Sequence, residues 1–403
     1  MRILNKYPGV NFAVRSGGHD PNPGHASTHG GVLICLRHMK GATYETNTGL
    51  AFVKPGGVWN DVITDLERDD ITIVGGRLGV VGVGGYFLQG GMSFLNAQYG
   101  LAADNIVGWE TIRSDGSIVN VDAEKQPELA SAMRGSGSQF GIVTQFKVRT
   151  YAIGRVWGGV RFYTLSKGNE LRTALHNFVP HSDENLKAAV ILTDLYIAKG
   201  IVLHAVNYFY DDPLPPETGP FAEFLKIPSL FDSTKSQGYA QLLKANGKGV
   251  KEFRGRSSFR WRAIISKYSG FMRLRDQSSI TCQPFPKIIG KHSEDRGGNA
   301  MGLSATDLDR MILEIQSTWR SSKDDEKNYL MSKELTEWIE SKVPLWLSEA
   351  GMDLNLYMPK FMNDAAWDQY VMSSYRNHDE LEKLQREVDR DGTFRTRFGS
   401  HKY

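Results

Sequence analysis

Apolar residues fall into short strand-sized runs before residue 151 and into longer runs after it. Asn11 to Val14, Gly31 to Leu36 (GVLICL) and Leu50 to Lys54 read as short strands, the last closed by Pro55-Gly56-Gly57. Ile3 to Tyr7 reads as the end of a helix. From Val58 to Arg68 the apolar residues stand at 58, 59, 62, 63 and 66, a spacing that predicts a helix with one buried face. Ile71 to Val74 reads as a buried strand. Ile106 to Arg113 and Ser117 to Val121 are β-rich runs split by Asp115-Gly116, which predicts a hairpin. Pro127 to Met133 predicts a helix, with proline at its start and Gly135 just past its end. Ile142 to Thr150 predicts a strand with Ile142, Phe146 and Val148 on one side.

In the second part, Ala188 to Ile197 and Ile201 to Tyr210 are long β-branched runs joined by Ala198-Lys199-Gly200, and they predict paired strands. The polar, basic stretch from Gln237 to Arg262 has no clear period. Leu308, Met311, Ile312, Ile315 and Trp319 follow helical spacing behind Thr306, an expected N-cap, with Asp307 and Asp309 in the first turn. Leu335, Trp338 and Ile339 predict a second amphipathic helix capped by Ser332. A further helix is expected around Leu381, Leu384 and Val388.

At 403 residues the chain exceeds the usual single domain, so two domains or lobes are expected. The net charge of +3 is too small for a nucleic-acid footprint. Two distant cysteines, Cys35 and Cys282, exclude a disulfide framework. MRILNKYPGV lacks the apolar core of a signal peptide, and no long apolar run is free of charge or glycine. A soluble chain without an export signal or a membrane partner is the expectation.

Gly75 to Asn105 (GGRLGVVGVGGYFLQGGMSFLNAQYGLAADN) has neither period, and eight glycines stand among its first seventeen residues. Glycine at that density costs backbone entropy, so it marks positive φ angles or backbone lying close to a ligand. Consecutive free N–H groups in such loops form anion sites suited to a pyrophosphate. Arg15-Ser-Gly-Gly-His19 is the second constellation. Its glycines let main chain pass beside a ligand, and a neutral imidazole could bond to an electrophilic cofactor carbon. His25, His29 and His38 have no zinc spacing and read as solvated loop histidines.

Together, RSGGH, GGRLGVVGVGG, YGLAADN, the Asp-Gly hairpin and RGSGSQFGIVT resemble, in order and spacing, the FAD-linked oxidoreductases of the berberine bridge enzyme type. These share the fold of vanillyl-alcohol oxidase and p-cresol methylhydroxylase (PCMH), and the likeness is nearest to fungal members. It covers residues 1–152 and returns at Phe361-Met-Asn363 and from Tyr375 to Tyr403. The resemblance implies an α+β fold: a PCMH-type FAD-binding domain at 1–152, a substrate domain with an antiparallel sheet at 153–360, and a C-terminal segment, 361–403, returning to the FAD domain. It also implies an oxidase that passes hydride from a small organic substrate to flavin, is reoxidised by O2, and works in secondary metabolism.

Residue by residue, His19 matches the histidine that bonds the 8α-methyl carbon of FAD, and Arg15, Ser16, Gly17 and Gly18 match the loop around the pyrophosphate. Gly76, Val80, Val81, Gly82, Gly84, Gly85, Gly90 and Gly91 fall in the glycine-rich cofactor segment, with Val81 where the family gates oxygen. Asp104, Asn105, Gly141, Ile142 and Val143 match segments along the ADP half. Leu78 stands where the family's second link uses cysteine, so a single histidyl link, or none, is implied. Tyr86 replaces a further family histidine. Asn363 matches the asparagine of a Tyr-X-Asn motif in which Phe361 replaces tyrosine. Tyr208, Tyr210, Tyr357 and Tyr370 are candidate bases by location. Family members carry a helix-and-strand segment before the residue matching Met1, so either a truncated product or some other cover over the exposed sheet edge is expected.

Two rival readings follow from the same residues. One is a nicotinamide-dependent dehydrogenase, weakened by the lack of a GxGxxG opening a helix. The other is a non-catalytic remnant that binds a ligand or partner.

Overall fold

The computed structural model describes residues 1–197, 201–248, 256–259, 277–319 and 321–403. Before residue 153 the strands are β1 (Phe12–Arg15), β2 (Val32–Cys35), β3 (Ala42–Glu45), β4 (Leu50–Val53), β5 (Ile71–Thr72), β6 (Ile106–Ile112), β7 (Ile118–Asp122), β8 (Ile142–Arg149) and β9 (Tyr151–Ala152). β1 and β2 pair in parallel. The order β3-β4-β8-β6-β7 forms an antiparallel sheet, and β5 pairs with β9. After it come β10 (Val156–Thr164), β11 (Ala188–Ile197), β12 (Ile201–Tyr210), β13 (Phe231–Asp232), β14 (Lys235–Gln237), β15 (Arg256–Phe259), β16 (Gln277–Phe285) and β17 (Arg310–Trp319). These make one antiparallel sheet, ordered β13-β10-β12-β11-β16-β17-β15 with β14 also on β10. Helices and antiparallel sheets together give the α+β class that the resemblance implied.

The helix Trp59–Leu66 shows why the first layer folds as it does. Trp59, Val62, Ile63 and Leu66 are buried, at about 1.5–3 kcal/mol for each large apolar side chain removed from water. Trp59 lies edge-on to both Tyr86 and Phe87, their ring centroids 5.0 Å away. That contact fixes the short helix Val83–Leu88, which carries part of the glycine-rich text. The chain's last residues fold back on its first strand. Phe12 packs against Phe394 and Phe398 with centroids 6.0 and 5.5 Å apart, and Arg397 donates to the carbonyls of Leu4 and Val10. β2 leaves Val32 and Leu33 exposed.

Several expectations needed correction. Leu308 to Trp319 is a strand, not a helix: Arg310 to Trp319 pairs with β16 over nine residues, from Gln277 opposite Thr318 to Phe285 opposite Arg310. The row Met311, Ile312, Leu313, Ile315 satisfies either period locally, and the partner strand decides. Thr306 therefore caps nothing; Asp307 accepts from Ser304 N, Arg310 and Arg376 and closes the turn before the strand. Ser332 lies inside the helix Asp325–Glu349 and donates to Tyr329 O, while the acids Asp325 and Glu326 occupy its first turn. Only Ile71 and Thr72 pair as a strand, although Ile73 and Val74 are buried as expected. Ile3 to Tyr7 contains a 3-10 turn, Leu4–Lys6. Within the stretch 237–262, Tyr239–Asn246 is helical, while 249–255 and 260–262 lie outside the described residues, as does the connection 198–200.

Candidate active site

Two glycine segments meet in backbone contact. A Cβ on Gly17 would lie 2.5 Å from Gly82 Cα, and one on Gly82 would lie 2.3 Å from Gly17 N, so no other residue fits either place. Ser16 Oγ locks the junction by accepting from Gly84 N at 3.1 Å while donating to Pro55 O at 2.5 Å. Beside the junction opens a cleft of about 490 Å³, within the size of cofactor sites. Ser16, Gly17, Gly18, His19, Gly76, Val81, Gly82, Gly84, Gly85, Ile142, Val143 and Asn363 line it, so the structure brings these sequence-selected residues together. Among the described residues, the amides of Gly17 and Gly18 donate to no protein acceptor. Free N–H groups on a main-chain concavity suit a pyrophosphate, so this wall fits the dinucleotide the family implies.

Other selected residues lie outside the lining. Arg15 turns away, donating from Nε to Ala26 O at 2.7 Å and covering Gly18. Val80 packs against Gly247. Gly90 and Gly91 sit behind the cleft, their carbonyls accepting from Ala103 N and Ala102 N at 2.8 and 3.0 Å. Asp104 and Asn105 are buried beneath them. Asp104 accepts from Leu101 N and Asn299 Nδ2, both at 2.9 Å, and burial raises its carboxyl despite those bonds. Asn105 donates to Leu101 O at 2.7 Å. These two residues build the loop and are not part of the cleft lining. Gly141, at φ +133°, abuts Thr111 and sets the entry of β8.

The tyrosines do not reach the cleft lining. Tyr370 is 82% exposed. Tyr357 donates to Met301 O, accepts from Arg376 N and lies 3.9 Å beneath the Arg376 guanidinium. Tyr208 and Tyr210 point to the opposite sheet face from Asn207, because strand side chains alternate. Tyr208 meets Tyr163 hydroxyl to hydroxyl at 2.7 Å. Asn363 reaches the cleft, but both ends of its amide are used: Oδ1 accepts from Gly91 N at 2.9 Å and Nδ2 donates to Tyr86 O at 3.4 Å. It clamps the glycine segment to the C-terminal return. Tyr86 donates to Met92 O.

The facing wall holds residues that sequence reasoning missed. Strand parity turns Ile191, Thr193 and Leu195, Asn207, Ser279, Thr281 and Gln283, and Glu314 and Gln316 toward the cleft. Register sets Thr193 opposite Thr281, 3.1 Å between hydroxyls, and Thr281 opposite Glu314. Arg77 donates to Gln283 Oε1, and Gln283 Nε2 donates to Glu314 Oε2 at 3.2 Å. Asp364 also lines this end, and its Oδ2 is buried without a hydrogen-bond partner. Burial raises both carboxyls, the charge of Asp364 raises Glu314 further, and Arg77 opposes both shifts. The signal was present as Glu and Gln two apart within Ile312 to Ser317, but the helical reading of that stretch hid it.

At the glycine end His25 is not a solvated loop residue. Its Nδ1 lies 2.9 Å from Asp20 Oδ2, its side chain is 9% exposed, and its ring meets His401 edge-on at 5.0 Å. His29 and His38 are exposed.

A glycine-lined cleft facing an antiparallel sheet that carries acid–base groups fits a dinucleotide-binding enzyme of α+β fold. The comparisons agree. Residues 1–122 match the FAD binding domain family. The chain is 32% identical over 374 residues to an uncharacterized FAD-linked oxidoreductase of Arthroderma benhamiae, covering 88% of this chain and 73% of that one. It is 29% identical over 417 residues to an FAD-dependent monooxygenase of Fusarium proliferatum, covering 96% and 78%. The fold is similar to that of berberine bridge enzyme from Eschscholzia californica, with TM-score 0.72, 17% identity, and coverage of 100% and 87%. The chain belongs to the FAD-linked oxidoreductases, shares its fold with berberine bridge enzyme, and is an FAD-dependent enzyme. The nicotinamide-dependent and non-catalytic readings are thereby set aside.

Proposed function

We propose that the protein is an oxidase that removes a hydride from a substrate carbon while Glu314 takes the proton from the O–H or N–H on that carbon. The observation that carries this reading is the pair of raised carboxyls, Glu314 and Asp364, on the cleft wall facing the glycine segments. A carboxyl whose pKa moves toward neutrality is a better proton acceptor at working pH than an ordinary one. FAD, when bound, would supply the two-electron acceptor for that hydride, with O2 as the final oxidant.

The chain's own residues do the rest. Ser16 to Gly18 and Gly82 to Gly85 hold the dinucleotide through main chain, with His19 as the point of attachment. Gln283, held by Arg77, orients Glu314, and Thr193, Thr281 and Gln316 offer neutral hydrogen-bonding groups to the substrate. Val81 stands at the cleft wall, where oxygen would approach. The division into 1–152, 153–360 and 361–403 belongs to the same proposal, with the cleft at the seam. Secondary metabolism is the setting that fits fungal relatives.

The relative named a monooxygenase favours a second reading, insertion of an oxygen atom into product. Photoreduction of the purified enzyme followed by mixing with aerated buffer separates the two. The oxidase reading requires prompt reoxidation with one peroxide released per flavin. Reoxidation no faster than that of free flavin, or without peroxide, would overturn it.

A further inference from the structure

Asp20, His25 and His401 form a built acid–base cluster at the glycine end of the cleft that the oxidation chemistry above does not use. Asp20 and His25 line the cleft with His19, while His401 arrives from the far end of the chain and packs behind. Asp20 Oδ2 accepts from His25 Nδ1 at 2.9 Å, and Asp20 Oδ1 accepts from Asn22 N at 2.8 Å. The loop is pinned independently. Asn22 Nδ2 donates to Ala365 O, and Asn22 Oδ1 accepts from Trp367 N, both at 2.9 Å. With Nδ1 donating to a carboxylate, the other ring nitrogen of neutral His25 is left as an acceptor. That arrangement is an Asp–His dyad, the pairing that fixes an imidazole as a general base.

We propose that the Asp20–His25 dyad is the base for attaching flavin to His19, accepting the proton released from the 8α-methyl group as the imidazole of His19 bonds to that carbon. The inference rests on the flavin reading above. The balance closes with the oxidant already named. A carbon–hydrogen bond of the methyl and an N–H bond of His19 break, and a carbon–nitrogen bond forms. The two electrons and two protons leave with O2 as hydrogen peroxide.

Charges around the dyad agree with this role. Burial works against the Asp20 carboxylate, but its hydrogen bonds from His25 and from Asn22 N outweigh it and hold Asp20 below the usual range, so it is ionised. Burial lowers His19, and Asp20 opposes that only in part, which keeps the nucleophile neutral. His401 is pushed down to about 4, chiefly by burial, so it remains uncharged and adds no cation behind the base. His401 Nε2 is buried without a partner, so its value to the cluster is the ring packed against His25.

The test uses protein made under riboflavin starvation, mixed with FAD and acid-precipitated at intervals to count flavin in the pellet. Wild type should accumulate covalent flavin, and His19→Ala should accumulate none. His25→Gln should slow attachment at least about 100-fold, the lower range for loss of a general base, while still quenching FAD fluorescence on mixing. Asp20→Asn should slow it as well. His25→Gly should recover attachment when imidazole is added, a rescue that a structural role would not show. Attachment by His25→Gln at the wild-type rate, or failure of imidazole to rescue His25→Gly, overturns the proposal. Wild type that holds FAD only non-covalently overturns it too while leaving the oxidase reading standing. Wild type that takes up no FAD overturns both.

Discussion

Replacing Glu314 by Gln should stabilise the flavin-free protein at alkaline pH and leave it unchanged at acid pH. Glu314 is half-buried at the cleft wall, with Gln283 donating to it at 3.2 Å and Asp364 close enough to raise it further. Its folded-state pKa lies above the unfolded value of about 4.3. The folded state therefore binds more protons than the unfolded chain between the two values, and stability falls as pH rises through that window. Below the unfolded value the penalty is absent. Each unit of elevation costs about 1.4 kcal/mol once pH exceeds both values. Glu314 is only half-buried and Arg77 opposes the shift, so a net penalty of about 1–3 kcal/mol at pH 8 is expected. Gln keeps the shape and an acceptor for Gln283 but cannot ionise. Thermal unfolding by intrinsic fluorescence should place Glu314→Gln about 1–4 °C above wild type at pH 8 and level with it at pH 4. A variant no more stable than wild type at pH 8, or equally displaced at both pH values, would refute the burial argument. Its turnover should fall about 10²–10⁴-fold once a substrate is found, the exchange of stability for chemistry expected at a working site.

Three further outcomes test the rest of the geometry. Gly17→Ala puts a methyl 2.5 Å from Gly82 Cα and should purify without flavin and less stable by about 1–3 kcal/mol, whereas Gly9→Ala, with nothing within 4 Å, should match wild type in both; equal flavin content in the two variants would remove the junction from the site. Asn363→Ala leaves Gly91 N without its acceptor and should cost about 1–3 kcal/mol by urea denaturation, with a raised FAD dissociation constant for protein loaded without covalent attachment; an unchanged midpoint contradicts the clamp. Tyr370→Phe and Tyr357→Phe should leave turnover unchanged, the second with about 1 kcal/mol lost from its bond to Met301 O; a large fall in turnover for either would restore it as a base.

Much of the glycine wall was legible because its chemistry is local. RSGGH and VGVGG need small residues wherever main chain passes main chain, so glycine density marked the two segments that the structure joins at Gly17 and Gly82. The hairpin at Asp115-Gly116 and the pair Ala188–Ile197 and Ile201–Tyr210 were likewise written in turn residues and β-branching. The tyrosine candidates failed because proximity along the chain says nothing about which sheet face a side chain takes. One step of parity separates Asn207, in the cleft, from Tyr208, in a core behind it.

By itself, then, the sequence determined the glycine-rich, backbone-lined wall and singled out the histidine beside it, since each depends on residue size and conformational freedom at neighbouring positions, while the α+β class came with the resemblance. Only the tertiary structure decided the opposite wall. Glu314 and Asp364 stand 50 positions apart, and Asp20 and His401 stand at opposite ends of the chain. Arg310–Trp319 became a strand because β16 offered it nine partners, and the C-terminal residues reached His25 because Phe394 and Phe398 bury themselves against Phe12. Pairings that distant gain their energy from burial and from hydrogen bonds made after collapse, and no local pattern in the sequence encodes them.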